Sequence, residues 1–124
     1  MSVPTVSTVL LVAAGGGAGA VLRHLVARWS AAAGVGAFPL GTVAVNVVGS
    51  LILGAVVGSA SPPGWVLALV GTGLCGGLTT FSTFALETVR LGGAGDRRTA
   101  VAYVSVSVLG ALAAAATGFA LTSG

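Results

Sequence analysis

Charged side chains are scarce in this sequence. Its 124 residues include five arginines, no lysine and two acidic residues, so that only 6% are charged, against about 25% in soluble domains. A chain with so few charges cannot cover the surface of a soluble fold with polar groups. There is also only one histidine and one cysteine. This composition supplies no constellation for nucleophilic or metal-based catalysis, and no enzymatic activity is expected.

Two further absences concern disulfides and processing. Cys75 is the single cysteine, which excludes an intrachain disulfide, and we expect its side chain to be a small buried apolar group. The segment from Met1 to Leu11 contains no charged residue, and the apolar run that it begins is longer than a signal peptide. We therefore expect a retained helix and not a cleaved signal.

Apolar sequence is abundant. Hydrophobic residues make up 56% of the chain, and the mean hydropathy is +1.10. Each helical bilayer crossing needs about 20 residues. The sequence predicts an all-α membrane protein, a single domain over residues 1–124, with four transmembrane helices at about 6–27, 40–59, 65–89 and 99–122.

Glycine is concentrated in the first and third runs. Small residues allow helix backbones to approach closely in lipid, so the segment from Gly15 to Ala20 predicts close packing. In the third run, Gly71, Gly73 and Gly76-Gly77 precede Thr79-Thr80, and both residue types weaken a helix. Two structures stay open on these grounds: a helix broken near its middle, which lipid permits only inside protein or beside a cavity, or an intact helix with closely packed glycines.

Four segments, in order, resemble the Fluc/CrcB family of fluoride channels. They are Gly16-Gly17-Ala18-Gly19-Ala20-Val21-Leu22-Arg23, Gly41-Thr42-Val43-Ala44-Val45-Asn46-Val47-Val48-Gly49-Ser50, Gly76-Gly77-Leu78-Thr79-Thr80-Phe81-Ser82-Thr83-Phe84 with Glu87, and Tyr103 with Ser107. The resemblance implies a multi-pass protein of the cell membrane that exports fluoride passively. It also implies an antiparallel dual-topology dimer with two ion pathways and a structural sodium ion at the dimer interface.

Asn46, Phe81 and Phe84 are candidate pore residues. A pore for strongly hydrated fluoride must offer hydrogen-bond donors without a cation that traps the ion. Asn46 is an amide donor in an otherwise apolar helix, and its alternative role is an interhelical hydrogen bond. Phe81 and Phe84 share a helical face and could present positive ring edges to an anion, or else face lipid. The resemblance implies that all three line the pore.

Further polar residues complete the candidate pathway. Ser82 and Thr83 lie within helical reach of the Glu87 carboxylate, and Tyr103 and Ser107 form a polar stripe four residues apart. Both sets could instead hold helices together, and Glu87 could pair with an arginine. The resemblance implies a pathway lined by Ser82, Thr83, Tyr103 and Ser107. It places Arg23 at a vestibule that attracts anions, with Glu87 as a supporting residue; Arg23 could also extend to the headgroups.

The expected cofactor is a structural Na⁺. Backbone carbonyls released by an unwound helix are hard oxygen ligands, and a pair from each of two subunits would form a tetrahedral cage. The resemblance assigns those carbonyls to Gly76 and Thr79.

Two other functions are consistent with four short helices. A small multidrug-type, proton-coupled transporter needs an acidic residue deep in the first helix, and this chain has none there. A non-transporting membrane assembly subunit would leave the Thr-Thr-Phe-Ser-Thr-Phe cluster unexplained.

The arginines predict an orientation. Arg28 lies in the expected first connection and Arg90, Arg97 and Arg98 lie in or near the third, whereas both termini and the Ser59–Gly64 turn are uncharged. The positive-inside rule puts those connections in the cytoplasm and both termini outside. The charge therefore indicates membrane orientation and not nucleic-acid binding. We expect pairing with an oppositely oriented paralogue, with an antiparallel homodimer as the alternative.

Overall fold

The computed structural model describes residues 5–33 and 38–124. Within them the chain is helical, with four helices long and apolar enough to cross a membrane: Val6–Ala33, Leu40–Gly58, Gly64–Gly93 and Arg97–Ser123. The predicted all-helical, four-span architecture is confirmed. Between 11% and 33% of each span is buried inside the chain, so that most of the apolar surface is left for lipid or for another subunit.

The first two spans are single helices. Helix α1 covers Val6–Ala33 and α2 covers Leu40–Gly58. The connection expected between residues 27 and 40 is wrong in its first part, because α1 continues through Arg28 to Ala33. A hydropathy change marks the edge of the lipid, whereas the Ala-rich stretch after Arg28 has high helix propensity. The turn expected after α2 is present, with Ser61 in the left-handed region at φ 48°.

The third span consists of several helical pieces. Helix α3 covers Gly64–Val66, a π-helix covers Leu67–Cys75, α4 covers Gly76–Leu78 and α5 covers Phe81–Gly93. Between α4 and α5, Thr79 (φ −80°, ψ 155°) and Thr80 (φ −149°, ψ 122°) have extended backbone. Two residues of the third span thus lie outside any helix.

Helix α6 covers Arg97–Ser123. The connection before it is shorter than the gap predicted between residues 89 and 99, because α5 continues to Gly93 and α6 begins at Arg97. Gly95 has φ 83°, a conformation that glycine adopts without strain. Asp96 caps α6 by accepting a hydrogen bond from the Thr99 amide at 3.2 Å.

Glycines bring the helix backbones together in two pairs. Helix α1 packs on the π-helix and α4, while α2 packs along α6. A Cβ added at Gly15 or Gly19 would collide with backbone of the third span, and one at Gly54 would collide with Ala115 of α6. The close packing predicted for the first run is confirmed. A small apolar core joins α2, α5 and α6 through Val43, Leu91, Ala100 and Tyr103.

Candidate functional site

The interruption at Thr79 and Thr80 is held by the side chain of Asn46. Its Oδ1 accepts a hydrogen bond from the Thr80 amide at 2.8 Å, and its Nδ2 donates to the Thr80 carbonyl at 3.3 Å. Asn46 therefore replaces helical bonds that the extended residues cannot make. The interhelical bond that the sequence left open is present, and the same side chain also lines a cavity.

Two carbonyls at the interruption lose their usual helical donors. In an α-helix the amide of residue i+4 donates to the carbonyl of residue i. The Thr80 amide donates to Asn46 instead of to Gly76, and the Thr83 amide donates to the Thr80 hydroxyl at 3.2 Å instead of to the Thr79 carbonyl. The Gly76 and Thr79 carbonyl oxygens, the two proposed from sequence as cation ligands, are therefore among those that lack a helical donor at the interruption. Nearby, the Cys75 carbonyl accepts from Thr79 and the Gly77 carbonyl accepts from Arg23.

An open cavity lies against this interruption. This main cavity has a volume of about 660 Å³ and is bordered by α2, the π-helix, α4, α5 and α6. Six of the residues singled out from sequence line it: Asn46, Gly76, Thr79, Phe81, Phe84 and Ser107. The structure thus gathers, around one space, residues from three of the four spans.

Within the main cavity, Ser107 is the unpaired polar group. Its side chain is buried, with 4% exposure, and its Oγ has no hydrogen-bond partner among the described residues. A buried hydroxyl without a partner costs free energy. Ser107 therefore keeps an unused hydrogen-bonding group in the wall of the main cavity.

The two phenylalanines differ in burial. Their ring centroids are 6.1 Å apart, but Phe81 is 80% exposed, while Phe84 packs against the Tyr103 ring at 5.2 Å. Phe84 is fixed by the core of this chain, and Phe81 projects from it.

Glu87 is bound by hydroxyls of two other helices. Its Oε1 accepts from Thr42 of α2 at 2.6 Å and from Tyr103 of α6 at 3.3 Å. The expected partners, Ser82 and Thr83, interact instead with the Thr80 hydroxyl at the start of α5. Tyr103 is fully buried and borders neither cavity, so its hydroxyl faces Glu87 and not the open space.

A second cavity, of about 240 Å³, lies between α1, α2 and the start of α5. Arg23 and His24 line it together with Thr42, Thr80 and Thr83. Arg23 also donates its Nε to the Gly77 carbonyl at 3.2 Å. It is therefore attached to the third span beside the interruption, and not only directed to headgroups. Thr80 borders both cavities.

Sequence reasoning missed Thr42 and the capping role of Thr80. Thr80 directly before the apolar Phe81 is a recognisable signal for a helix start. No local signal identifies Thr42, because its partner Glu87 is 45 residues away in the chain.

Comparisons with known proteins agree with the resemblance. The family model described as CrcB-like protein, Camphor Resistance (CrcB), matches residues 10–119. A Frankia casuarinae protein named fluoride-specific ion channel FluC 1 is 52% identical over 90% of this chain and 93% of its own length. A Rhodococcus jostii protein named fluoride-specific ion channel FluC 2 is 51% identical over 94% of this chain and 99% of its own length. A Pseudomonas putida protein named fluoride-specific ion channel FluC is 41% identical over 94% and 98%, respectively. Four membrane-spanning helices and a match along nearly the whole chain lead to one conclusion: this multi-pass membrane protein belongs to the CrcB family.

Proposed function

We propose that this chain is a subunit of a fluoride channel of the cell membrane, which exports fluoride passively and lowers its cytoplasmic concentration. The observation that carries the proposal is the main cavity, where Asn46, Ser107 and two phenylalanines border the same space. The sequence of the chain is similar, over 90% or more of its length, to relatives named as fluoride-specific ion channels. Passive permeation involves no catalysed reaction. The two alternative functions, a small multidrug-type transporter and a non-transporting assembly subunit, gain no support from these observations.

The chemistry of the cavity suits a small, strongly hydrated anion. A permeating fluoride must exchange water for weak donors and leave again, so several modest contacts serve better than one fixed cation. The Ser107 hydroxyl has no partner among the described residues, and the Phe81 and Phe84 rings could turn positive edges toward the ion. The Ser82 and Thr83 hydroxyls lie at the start of α5 within hydrogen-bond distance of the Thr80 hydroxyl, and Thr80 borders the main cavity.

We further propose that the third span is a broken helix at membrane depth and that the working unit is an antiparallel dimer. Extended backbone inside lipid needs cover by protein or a cavity. The open main cavity and the exposed Phe81 leave a face that a second subunit would cover. An oppositely oriented paralogue or a second copy could provide it.

A structural sodium ion is proposed at that interface. The released Gly76 and Thr79 carbonyls are hard oxygen ligands of the kind that sodium requires, and Gly76 faces open space, since an added Cβ there would meet nothing within 4 Å. Bound sodium would supply charge that balances carbonyl dipoles of two subunits.

Fluoride efflux from liposomes tests the proposed function. Purified protein is reconstituted at low density, and efflux down a gradient is followed with a fluoride electrode. We expect rapid fluoride release, with chloride release at the level of protein-free liposomes. Fluoride release no faster than in protein-free liposomes, or equal release of both anions, would contradict the proposal.

Sodium dependence is tested separately. Protein purified and held for days without sodium should lose flux and thermal stability, and sodium should restore both where potassium does not. Unchanged flux and melting after prolonged removal would show that the released carbonyls hold no structural sodium.

A further inference from the structure

The hydrogen bond between Thr42 and Glu87 is the shortest side-chain contact in the polar region between the helices. The Thr42 hydroxyl donates to Glu87 Oε1 at 2.6 Å, a distance typical of a bond to a charged carboxylate. Tyr103 donates to the same oxygen at the longer distance of 3.3 Å. One carboxylate oxygen thus joins α2, α5 and α6.

Thr42 also belongs to the wall of the second cavity. It lines that cavity together with Arg23, while Glu87 lines neither cavity. Thr42 therefore connects the Glu87 carboxylate to the wall of the cavity that Arg23 lines. A carboxylate directed into this space would attract the arginine and repel an anion.

We infer that Thr42 is a positioning residue that holds the Glu87 carboxylate behind the cavity wall and keeps the Arg23 cavity open to anions. Without the Thr42 bond, Oε1 retains only the longer Tyr103 bond, and the carboxylate can turn toward Arg23. A pair between the two charges would remove the positive charge from the cavity. Fluoride would then enter more slowly from that side.

The composition of the chain permits a direct test. Glu87 is the only glutamate, so that labelling with glutamate carrying ¹³C in its carboxyl group gives one side-chain resonance in the reconstituted protein. Thr42→Val removes the hydroxyl and keeps the shape, and Thr42→Ser keeps the hydroxyl. Thr117→Val is the matched control, because Thr117 is exposed on α6 and its hydroxyl donates to Ala113 of its own helix.

We expect Thr42→Val to shift the Glu87 carboxyl resonance and to lower fluoride efflux about tenfold, the effect of one lost charge-assisted bond. Thr42→Ser should keep both close to wild type, and Thr117→Val should change neither. If Thr42 acted through packing alone, Thr42→Val would not shift the Glu87 carboxyl resonance, and Thr42→Ser would not restore efflux. If Thr42→Val does not fold, Thr42→Ala removes the hydroxyl without adding bulk and repeats both measurements.

The efflux measurement rests on the proposed function, whereas the carboxyl resonance does not, so the two measurements test the two proposals separately. An unshifted resonance in the valine variant would overturn the inference, as would a shifted resonance with wild-type efflux. If the wild-type protein releases no fluoride while the resonance shifts as expected, the fluoride pathway is wrong and the positioning of Glu87 by Thr42 stands.

Discussion

Phe81 and Phe84 are three residues apart but have different structural roles. Phe84 packs on Tyr103, whereas Phe81 is 80% exposed in the single subunit. A change at Phe81 should therefore report on permeation with little effect on the fold of the chain, and a change at Phe84 should affect both.

For Phe81→Ile we expect fluoride efflux to fall about tenfold, since a ring-edge contact with the ion is lost, with a smaller change in melting temperature than in Phe84→Ile. Phe84→Ile should lower efflux similarly and also lower the melting temperature through lost ring packing. Phe119→Ile, at an exposed aromatic side chain of α6 away from the main cavity, is the control for both. Wild-type efflux in Phe81→Ile and Phe84→Ile would remove these residues from the pathway.

At Asn46 the prediction concerns charge and hydrogen bonding together. Asn46→Asp keeps an acceptor for the Thr80 amide but places a second oxygen against the Thr80 carbonyl. We expect a loss of about 1–3 kcal/mol in stability and an end to fluoride efflux, measured by thermal unfolding and by the electrode assay. Efflux at wild-type rate would mean that Asn46 only supports the backbone.

Among the elements, the contact between α1 and the third span depends on the absence of Cβ atoms. Gly15 and Gly19 touch backbone of the π-helix and α4, whereas a Cβ at Gly17 would meet nothing within 4 Å. Gly15→Ala and Gly19→Ala should each separate the helices and lower the melting temperature. Gly17→Ala is the matched control and should be neutral or slightly stabilising, because alanine favours a helix by about 1 kcal/mol. Equal effects at all three positions would contradict the close backbone contact.

Periodicity and hydropathy predicted the four spans, but they predicted less well where the helices end and which side chains contact each other. The four spans follow from apolar length, but α1 extends to Ala33 because polar residues at the edge of a membrane do not end a helix. The composition at Gly76 to Thr80 marked a weak helix without deciding its backbone path. That path depends on Asn46, which lies 34 residues away from Thr80, and the Thr42–Glu87 pair likewise depends on tertiary packing that no local pattern encodes.

For the whole molecule, the arginines provide a test of orientation. Arg28 lies near the end of α1, Arg90 lies in the last turn of α5, and Arg97 and Arg98 begin α6. With four crossings these ends lie on one side of the membrane, and all four side chains are exposed. We expect a single main orientation with the arginines in the cytoplasm.

A topology reporter fused to the C-terminus and expressed without a partner should report the outside. Replacing Arg97 and Arg98 with glutamine should shift part of the population to the inside, because the charge bias is halved. Equal inside and outside populations of the unaltered chain would indicate a dual-topology homodimer, and the proposed pairing with a paralogue would be wrong.

The two extended threonines also divide the electrostatic polarity of the third span. Partial negative charge accumulates at the carbonyl end of a helix and partial positive charge at its amide end. The helical run that stops at Leu78 and the helix that starts at Phe81 bring two ends of opposite sign within a few residues of each other. Under the proposed function, the carbonyl end would favour the sodium ion and the amide end would favour fluoride, so that main-chain dipoles of the third span would contribute to both sites.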